Sequence, residues 1–190
     1  MQNVIIFGPP GSGKGTQSEK IIEKFGFAHI STGDILRAEI KSGTPLGVTA
    51  AKFIDNGQLV PDDLIIDMLE NKLNTLNNMP GVIFDGFPRT VEQAKALKEM
   101  LEKRGEKISV MINLEVAKPE LIDRLLKRGQ ISGRSDDKLE TIEKRIKVYE
   151  SQTTPVIDFY KNEGSYHGVK GVGSIDEIFS SISESIESCV

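Results

Sequence analysis

The stretch FGPPGSGKGTQ, residues 7–17, sets four glycines and two prolines around a single lysine. Gly8-Pro9-Pro10-Gly11-Ser12-Gly13-Lys14-Gly15-Thr16 satisfies the spacing G-x-x-x-x-G-K. Glycines so spaced let successive backbone N–H groups point inward around an anion, and a helix opening at the lysine adds its positive end. Lys14 then brings a point charge to the β and γ phosphates of a nucleoside triphosphate. The apolar run Val4-Ile5-Ile6 before the motif and the helical pattern after it supply the strand–loop–helix context that this chemistry needs. A GTPase would also carry an Asn-Lys-x-Asp guanine reader and an Asp-x-x-Gly switch, and neither is present. A motor would end an apolar strand on consecutive acidic residues, whereas Val82-Ile83-Phe84-Asp85 is followed by Gly86. A small-molecule kinase and a non-catalytic nucleotide sensor remain.

A kinase needs a second site for the molecule that receives the phosphoryl group. FDGFPRTVEQ, residues 84–93, offers one. Asp85 ends a strand pattern, where ligands of open α/β sheets bind, and suits a magnesium ion held through water. Asp-Gly can also make a hairpin turn, but Pro88 and the helical pattern after Thr90 leave no returning strand. Arg89 has the planar fork that suits a phosphate. Gln93 is open to two readings, because Thr90-x-x-Gln93 is a capping box in its own right. STGDILR, residues 31–37, adds Arg37 as a further phosphate ligand, while Ser31 or Thr32 with Asp34 can simply cap a helix.

These residues must be positioned by regular elements. Short β-branched runs at 4–7, 28–30, 81–84, 108–114 and 166–169 read as strands. Apolar residues at helical spacing fill 14–25, 62–76, 90–104, 119–128 and 137–149, with further helices near Pro155 and after Ser174. Strands alternating with helices mean βαβ units, a parallel sheet and helices on both faces. Two stretches break the alternation. Residues 32–60 hold two short helical patterns bracketed by Gly33, Gly43, Pro45 and Gly57, and 127–137 is a Gly/Ser/Arg-rich break between helices. Both read as excursions from the core, where movable substrate covers are found.

Composition sets the outer bounds. At 190 residues the chain makes one main domain, burying roughly 70 % of its unfolded surface. A net charge of −4 argues against nucleic acid or an acidic membrane as a general partner. The lone Cys189 can form no internal disulfide and no cysteine-built zinc site. With no secretory h-region and no apolar run long enough to span a bilayer, a cytoplasmic location is expected.

Taken together, GPPGSGKGTQ, STGDILR, GQLVPDD, DGFPRT with Gln93, RLLKRG, SGR and the GVGS turn resemble adenylate kinase, in the family's order and over nearly the whole chain. The resemblance is nearest to the short-lid, muscle-type enzymes. It implies a P-loop kinase fold with five parallel strands over residues 1–190, an AMP-binding excursion at 31–60 and a short lid at 127–137. It implies reversible transfer of the γ-phosphoryl of Mg-ATP to AMP, giving two ADP, by a monomer. Carried over by position, Gly11, Ser12, Gly13, Lys14, Gly15, Thr16 and Arg128 would hold the ATP phosphates, with Gly173 beside the base. Thr32, Arg37, Gln58, Leu59, Val60, Gly86, Phe87, Pro88, Arg89 and Gln93 would form the AMP site. Lys14, Arg89, Arg128, Arg134 and Arg145 would surround the transferred group, with Arg124 as a helper. A UMP/CMP kinase is the neighbouring alternative, against which Thr32 and Gln93 favour adenine.

The implied chemistry needs no general base. A phosphate monoester has its second pKa near 6, so at neutral pH it already carries the attacking oxygen. His29 and His167 match no motif. The difficulty is electrostatic, and one lysine, several arginines and Mg²⁺ suit it. Between Arg128 and Arg134 lie only residues 129–133, without cysteines, so a zinc-bearing lid is excluded and closure is expected from a loop hinged at Gly129, Ser132 and Gly133.

Overall fold

The computed structural model describes residues 1–76 and 78–189. Strands β1 (Gln2–Phe7), β2 (Ala28–Ser31), β3 (Gly81–Asp85), β4 (Val110–Glu115) and β5 (Tyr166–Lys170) form one sheet in the order β2-β3-β1-β4-β5. Every pairing is parallel, with Ile6 opposite Asp85 on one side of β1 and Ile112 on the other. All five strands lie where the apolar runs predict them. The helices are α1 (Lys14–Phe25), α2 (Thr32–Ser42), α3 (Pro45–Ile54), α4 (Asp62–Asn74), α5 (Val91–Lys103), α6 (Lys118–Ser132), α7 (Leu139–Val148), α8 (Pro155–Asn162) and α9 (Ile175–Glu187).

The core follows from the two-residue period of the strands. Val4, Ile6, Ile83 and Ile112 point to one face and pack with Ile21 of α1 and Ile182 and Ile186 of α9. Ile5, Phe7, Phe84 and Met111 point to the other and meet Leu69 of α4, Leu97 of α5 and Val156 of α8. Burial on both faces explains why these strands are apolar without alternation. A separate cluster of Leu121, Leu125, Ile142 and Ile146 clamps α6 to α7. No described helix is long and apolar enough to cross a membrane.

The chain fills the β2–β3 side of β1 first and then crosses to β4 and β5. The order therefore reverses at the carboxyl end of β1, where open α/β sheets bind ligands. Both excursions gather at that end. α2 and α3 make up the first, each begun by a side-chain cap, Ser31 on the Asp34 N–H and Thr44 on the Gly47 N–H. In the second the structure corrects the expected break. Helix α6 continues through Arg128, Gly129 and Ser132, and stops only at Gly133, which takes the left-handed φ of 63°. Gly129, expected in the hinge, thus lies inside the helix, and a Cβ there would lie 3.0 Å from Asp137 Cβ and from its carbonyl oxygen. A 3-10 turn, Ser135–Asp137, then leads into α7.

Candidate functional site

The cradle between β1 and α1 has the form its sequence requires. Gly8, Gly11 and Gly13 hold φ of 144°, 83° and 97°, values that disfavour side chains. Helix α1 begins without a side-chain cap and without an acidic residue in its first turn. Its N–H groups and positive end are thus left to an anion. The buried Ser12 Oγ has no hydrogen-bond partner among the described residues. By contrast, α9 closes its own start with a full Ser174/Glu177 capping box. Lys14 Nζ donates to the carbonyls of Gly8 (2.9 Å) and Pro9 (3.0 Å). Burial pushes its ammonium down to about 7, with Asp85 opposing the shift and Arg89, Arg145 and Arg128 adding to it.

A cleft partly open to solvent lies beside the cradle, enclosing about 1020 Å³ when its open mouth is included. Lys14, Thr32, Arg37, Gln58, Leu59, Val60, Gly86, Phe87, Pro88, Arg89, Gln93, Arg134 and Arg145 all line it. Its walls come from the cradle, from α2 and the end of α3, from the segment after β3, and from α7 with the turn before it. Gly86 organises one wall: its carbonyl accepts from Thr32 Oγ1 (2.8 Å) and Arg89 Nε (2.7 Å). At φ 75°, a Cβ on Gly86 would lie 2.9 Å from Arg89 Nη2 and 3.0 Å from Thr32 Oγ1. The Phe87–Pro88 bond that follows is cis. Burial lowers the pKa of Arg89, with Asp85 opposing. Arg37 is held by Asp34 within its own helix.

Gln93 lies at the capped start of α5 and also lines the cavity. Its backbone N–H is capped by Thr90 Oγ1 (3.2 Å), yet its side chain, 2 % exposed, reaches beyond the helix. Oε1 accepts from the Arg89 N–H (2.7 Å), and Nε2 donates to Asp62 Oδ1 (2.8 Å).

Two carboxylates absent from the sequence-based site organise the arginines. Arg134 forms a two-bond fork on Asp136 (3.0 and 2.8 Å). Arg128 forms another on Asp137 (2.7 and 2.8 Å), and Arg145 Nη1 reaches Asp137 Oδ1 at 2.9 Å. Burial alone would raise the Asp136 carboxyl, but the Arg134 hydrogen bond and the charges of Arg145, Arg134 and Arg128 hold it at about 2. Burial pushes the Arg145 guanidinium down to about 10, against the pull of Asp136. The signal in the sequence was Asp136-Asp137 two residues beyond Arg134, the acid needed to keep several guanidinium groups together out of water.

Not every expected residue lines the cavity. Arg128 is half-exposed and pairs with Asp137 outside the cavity lining. Arg124 joins Glu120 (2.8 Å) to the Gly171 carbonyl (3.1 Å), bracing α6 against the loop that holds Gly173. Gly11, Ser12, Gly13, Gly15 and Thr16 belong to the cradle. Asp85, 8 % exposed, ends β3 next to it, 3.5 Å from His29 Nε2. The described residues contain no group of three or more His, Cys, Asp or Glu side chains able to hold a metal by themselves. One carboxylate beside a phosphate cradle fits an ion that the nucleotide brings with most of its waters.

Comparison with known proteins returns one family. The family model described as adenylate kinase matches residues 6–165. A protein named adenylate kinase from Phocaeicola vulgatus is 61 % identical over 187 residues, covering 98 % of this chain and 99 % of its own. One of the same name from Bacteroides thetaiotaomicron is 59 % identical with the same coverage. Another from Azobacteroides pseudotrichonymphae is 49 % identical over 98 % of both chains.

Proposed function

The chain belongs to the adenylate kinase family of phosphotransferases, and from that premise we propose that it moves the γ-phosphoryl of Mg-ATP to AMP, yielding two ADP. The observation that carries this reading is the convergence of Lys14, Arg89, Arg134 and Arg145 on one cavity that also holds Arg37 and the buried amide of Gln93. A site for one nucleotide does not need so many cations. Two anions approaching each other in line do.

In this reading the cradle from Gly11 to Thr16 holds the ATP phosphates on backbone N–H groups, with Arg128 assisting and Gly173 near the base. Thr32, the 58–60 segment and Gln93 enclose the AMP base, while Arg37 and Arg89 hold its phosphate. The dianionic oxygen of that phosphate attacks directly, so no protein base is needed. Lys14, Arg134 and Arg145 stabilise charge that builds on the equatorial oxygens, in a buried site where such charges act strongly. Asp85 would hold Mg²⁺ through its waters, and the bound ion would neutralise β- and γ-phosphate charge. Residues 127–137 act as the lid. Because α6 extends to Ser132 and a 3-10 turn begins at Ser135, only 133–134 within it lie outside helical structure, and Arg128 rides on the helix.

The Ser135 hydroxyl donates to Asp55 Oδ1 (2.8 Å), which ties the 31–60 excursion to the lid segment and supports their acting together. A coupled assay offering ATP with AMP, CMP, UMP or GMP tests the proposal. Efficient turnover of AMP alone is expected. Faster turnover of CMP or UMP, or none of any acceptor, would overturn it.

A further inference from the structure

Gln93 is fixed at both ends of its side-chain amide. A carboxamide has two N–H donors and two oxygen lone pairs. In Gln93 one donor is taken by Asp62 Oδ1 at 2.8 Å and one lone pair by the Arg89 N–H at 2.7 Å. Asp62 is itself oriented, because its other oxygen accepts from Thr90 Oγ1 at 2.9 Å. It stands at the first turn of α4, twenty-eight residues from Thr90, so no local sequence rule brings the two together.

A carboxylate accepts and a backbone N–H donates. Rotating the amide by half a turn would set its oxygen against Asp62 and its NH₂ against the Arg89 N–H, two mismatches at once in a buried place. Only one orientation is permitted. It leaves one N–H and one lone pair, in fixed order, on a side chain that lines the cavity.

We infer that Asp62 is a specificity-determining positioning residue: by locking the Gln93 amide it makes the site accept 6-aminopurine monophosphates and reject 6-oxopurine ones. The inference rests on the reading of Gln93 as the contact to the acceptor base. Adenine offers a donor at its 6-amino group and an acceptor at N1, complementary to the free lone pair and N–H. Hypoxanthine and guanine offer an acceptor at O6 and a donor at N1, the inverse pattern, and would need the forbidden flip. With the acceptor phosphate held by Arg37 and Arg89, the base cannot turn over to compensate. A site built around one hydrogen-bonding pattern discriminates strongly because the wrong partner leaves buried groups unpaired.

The test is steady-state kinetics with AMP and with IMP, at saturating ATP, for wild type, Asp62→Ala, Asp62→Asn and Gln93→Leu, with a melting curve for each. IMP differs from AMP in the 6-position pattern without the extra amino group of GMP. Asp62→Ala is expected to lower the AMP-to-IMP ratio of kcat/KM at least about tenfold, chiefly through the KM for AMP, with the KM for ATP within about twofold. Asp62→Asn keeps the shape but can donate as well as accept, so the ratio should also fall, by less. A helix-bridging role alone would weaken AMP and IMP alike. An unchanged ratio in Asp62→Ala therefore overturns the inference, and if that variant fails to fold, an unchanged ratio in Asp62→Asn does so. Gln93→Leu separates the layers. If it raises the KM for AMP while the Asp62 variants keep the ratio, only the role of Asp62 fails. If it leaves the KM for AMP untouched, the reading of Gln93 fails and the inference goes with it.

Discussion

Arg128, in the last turns of α6, grips Asp137 through two parallel bonds of 2.7 and 2.8 Å, and the side chain of Asp137 is fully buried while that of Arg128 is 37 % exposed. Arg145 shares the same carboxylate at 2.9 Å. Asp137 thus holds two guanidinium groups from two helices in one orientation. Asp137→Ala should leave Arg128 without its carboxylate and Arg145 with only Asp136, 3.1 Å away. Removing one partner of a buried ion pair costs about 3–5 kcal/mol, and partial exposure of Arg128 points to the lower end. Urea unfolding checks this, and a loss under about 1 kcal/mol would show that the arginines carry no mutual strain.

Asp136 gives the protein an acid-sensitive component. Its folded pKa of about 2 lies below the ordinary 3.8. Between these values the unfolded chain binds more protons than the folded one, so stability rises with pH. The contribution is complete above 3.8 and is lost as pH falls toward about 2. It amounts to about 2 kcal/mol. Asp136→Asn should therefore be less stable than wild type at neutral pH, and the gap should close across that acid window. A gap constant with pH would mean that the carboxylate acts by shape.

Gly129 separates packing from hinging by the sign of its effect. In a hinge, Gly→Ala restricts the unfolded chain and stabilises by about 0.4–1 kcal/mol. In α6, alanine also gains about 1 kcal/mol of helix propensity. Against both stands the 3.0 Å approach of a Cβ to Asp137. Overpacking typically costs about 1–3 kcal/mol. Gly129→Ala should lower the melting temperature and reduce kcat, because Asp137 and its arginines must shift. A higher melting temperature with unchanged kcat would return Gly129 to the hinge.

Lys14 sits in the cradle and not in the apolar core, so Lys14→Met should fold. Losing the charge aimed at the transferring phosphoryl removes several kcal/mol of transition-state stabilisation. ADP formation should fall at least about a thousandfold while circular dichroism stays the same. More than a tenth of wild-type turnover would remove the lysine from the chemistry.

Arg134 is expected to act on the transition state more than on the ground state. Arginine fingers in phosphoryl transfer contribute roughly 10³–10⁵ in rate. Arg134→Ala should lower kcat within that range while calorimetry finds ATP affinity nearly intact. Arg134→Lys should recover little, since one ammonium cannot replace the fork that now spans both oxygens of Asp136. Near-normal turnover in the lysine variant would reduce Arg134 to a screening charge.

The sequence by itself determined the elements and the chemistry class. Apolar runs of strand length between helical periods specify a parallel sheet because burial on both faces leaves no other pattern for the strands. The cradle was legible because its glycines, its lysine and its helix start are adjacent in the chain, and short-range geometry follows from local residue types. The lid was only partly legible. Gly129 has the composition of a hinge, and only the approach of Asp137 from the next turn makes it a helix residue in a packed interface. Arg128 and Arg145 were expected at the transferred group, and the fold adds a carboxylate, Asp137, that joins them. Asp62, Asp136 and Asp137 received no role from the sequence. Apart from the local fork of Arg134 on Asp136, their roles depend on partners brought close by the crossing of α4 with α5 and of α6 with α7. Such contacts are decided by packing between elements distant in the chain, and no spacing rule within one element can encode them.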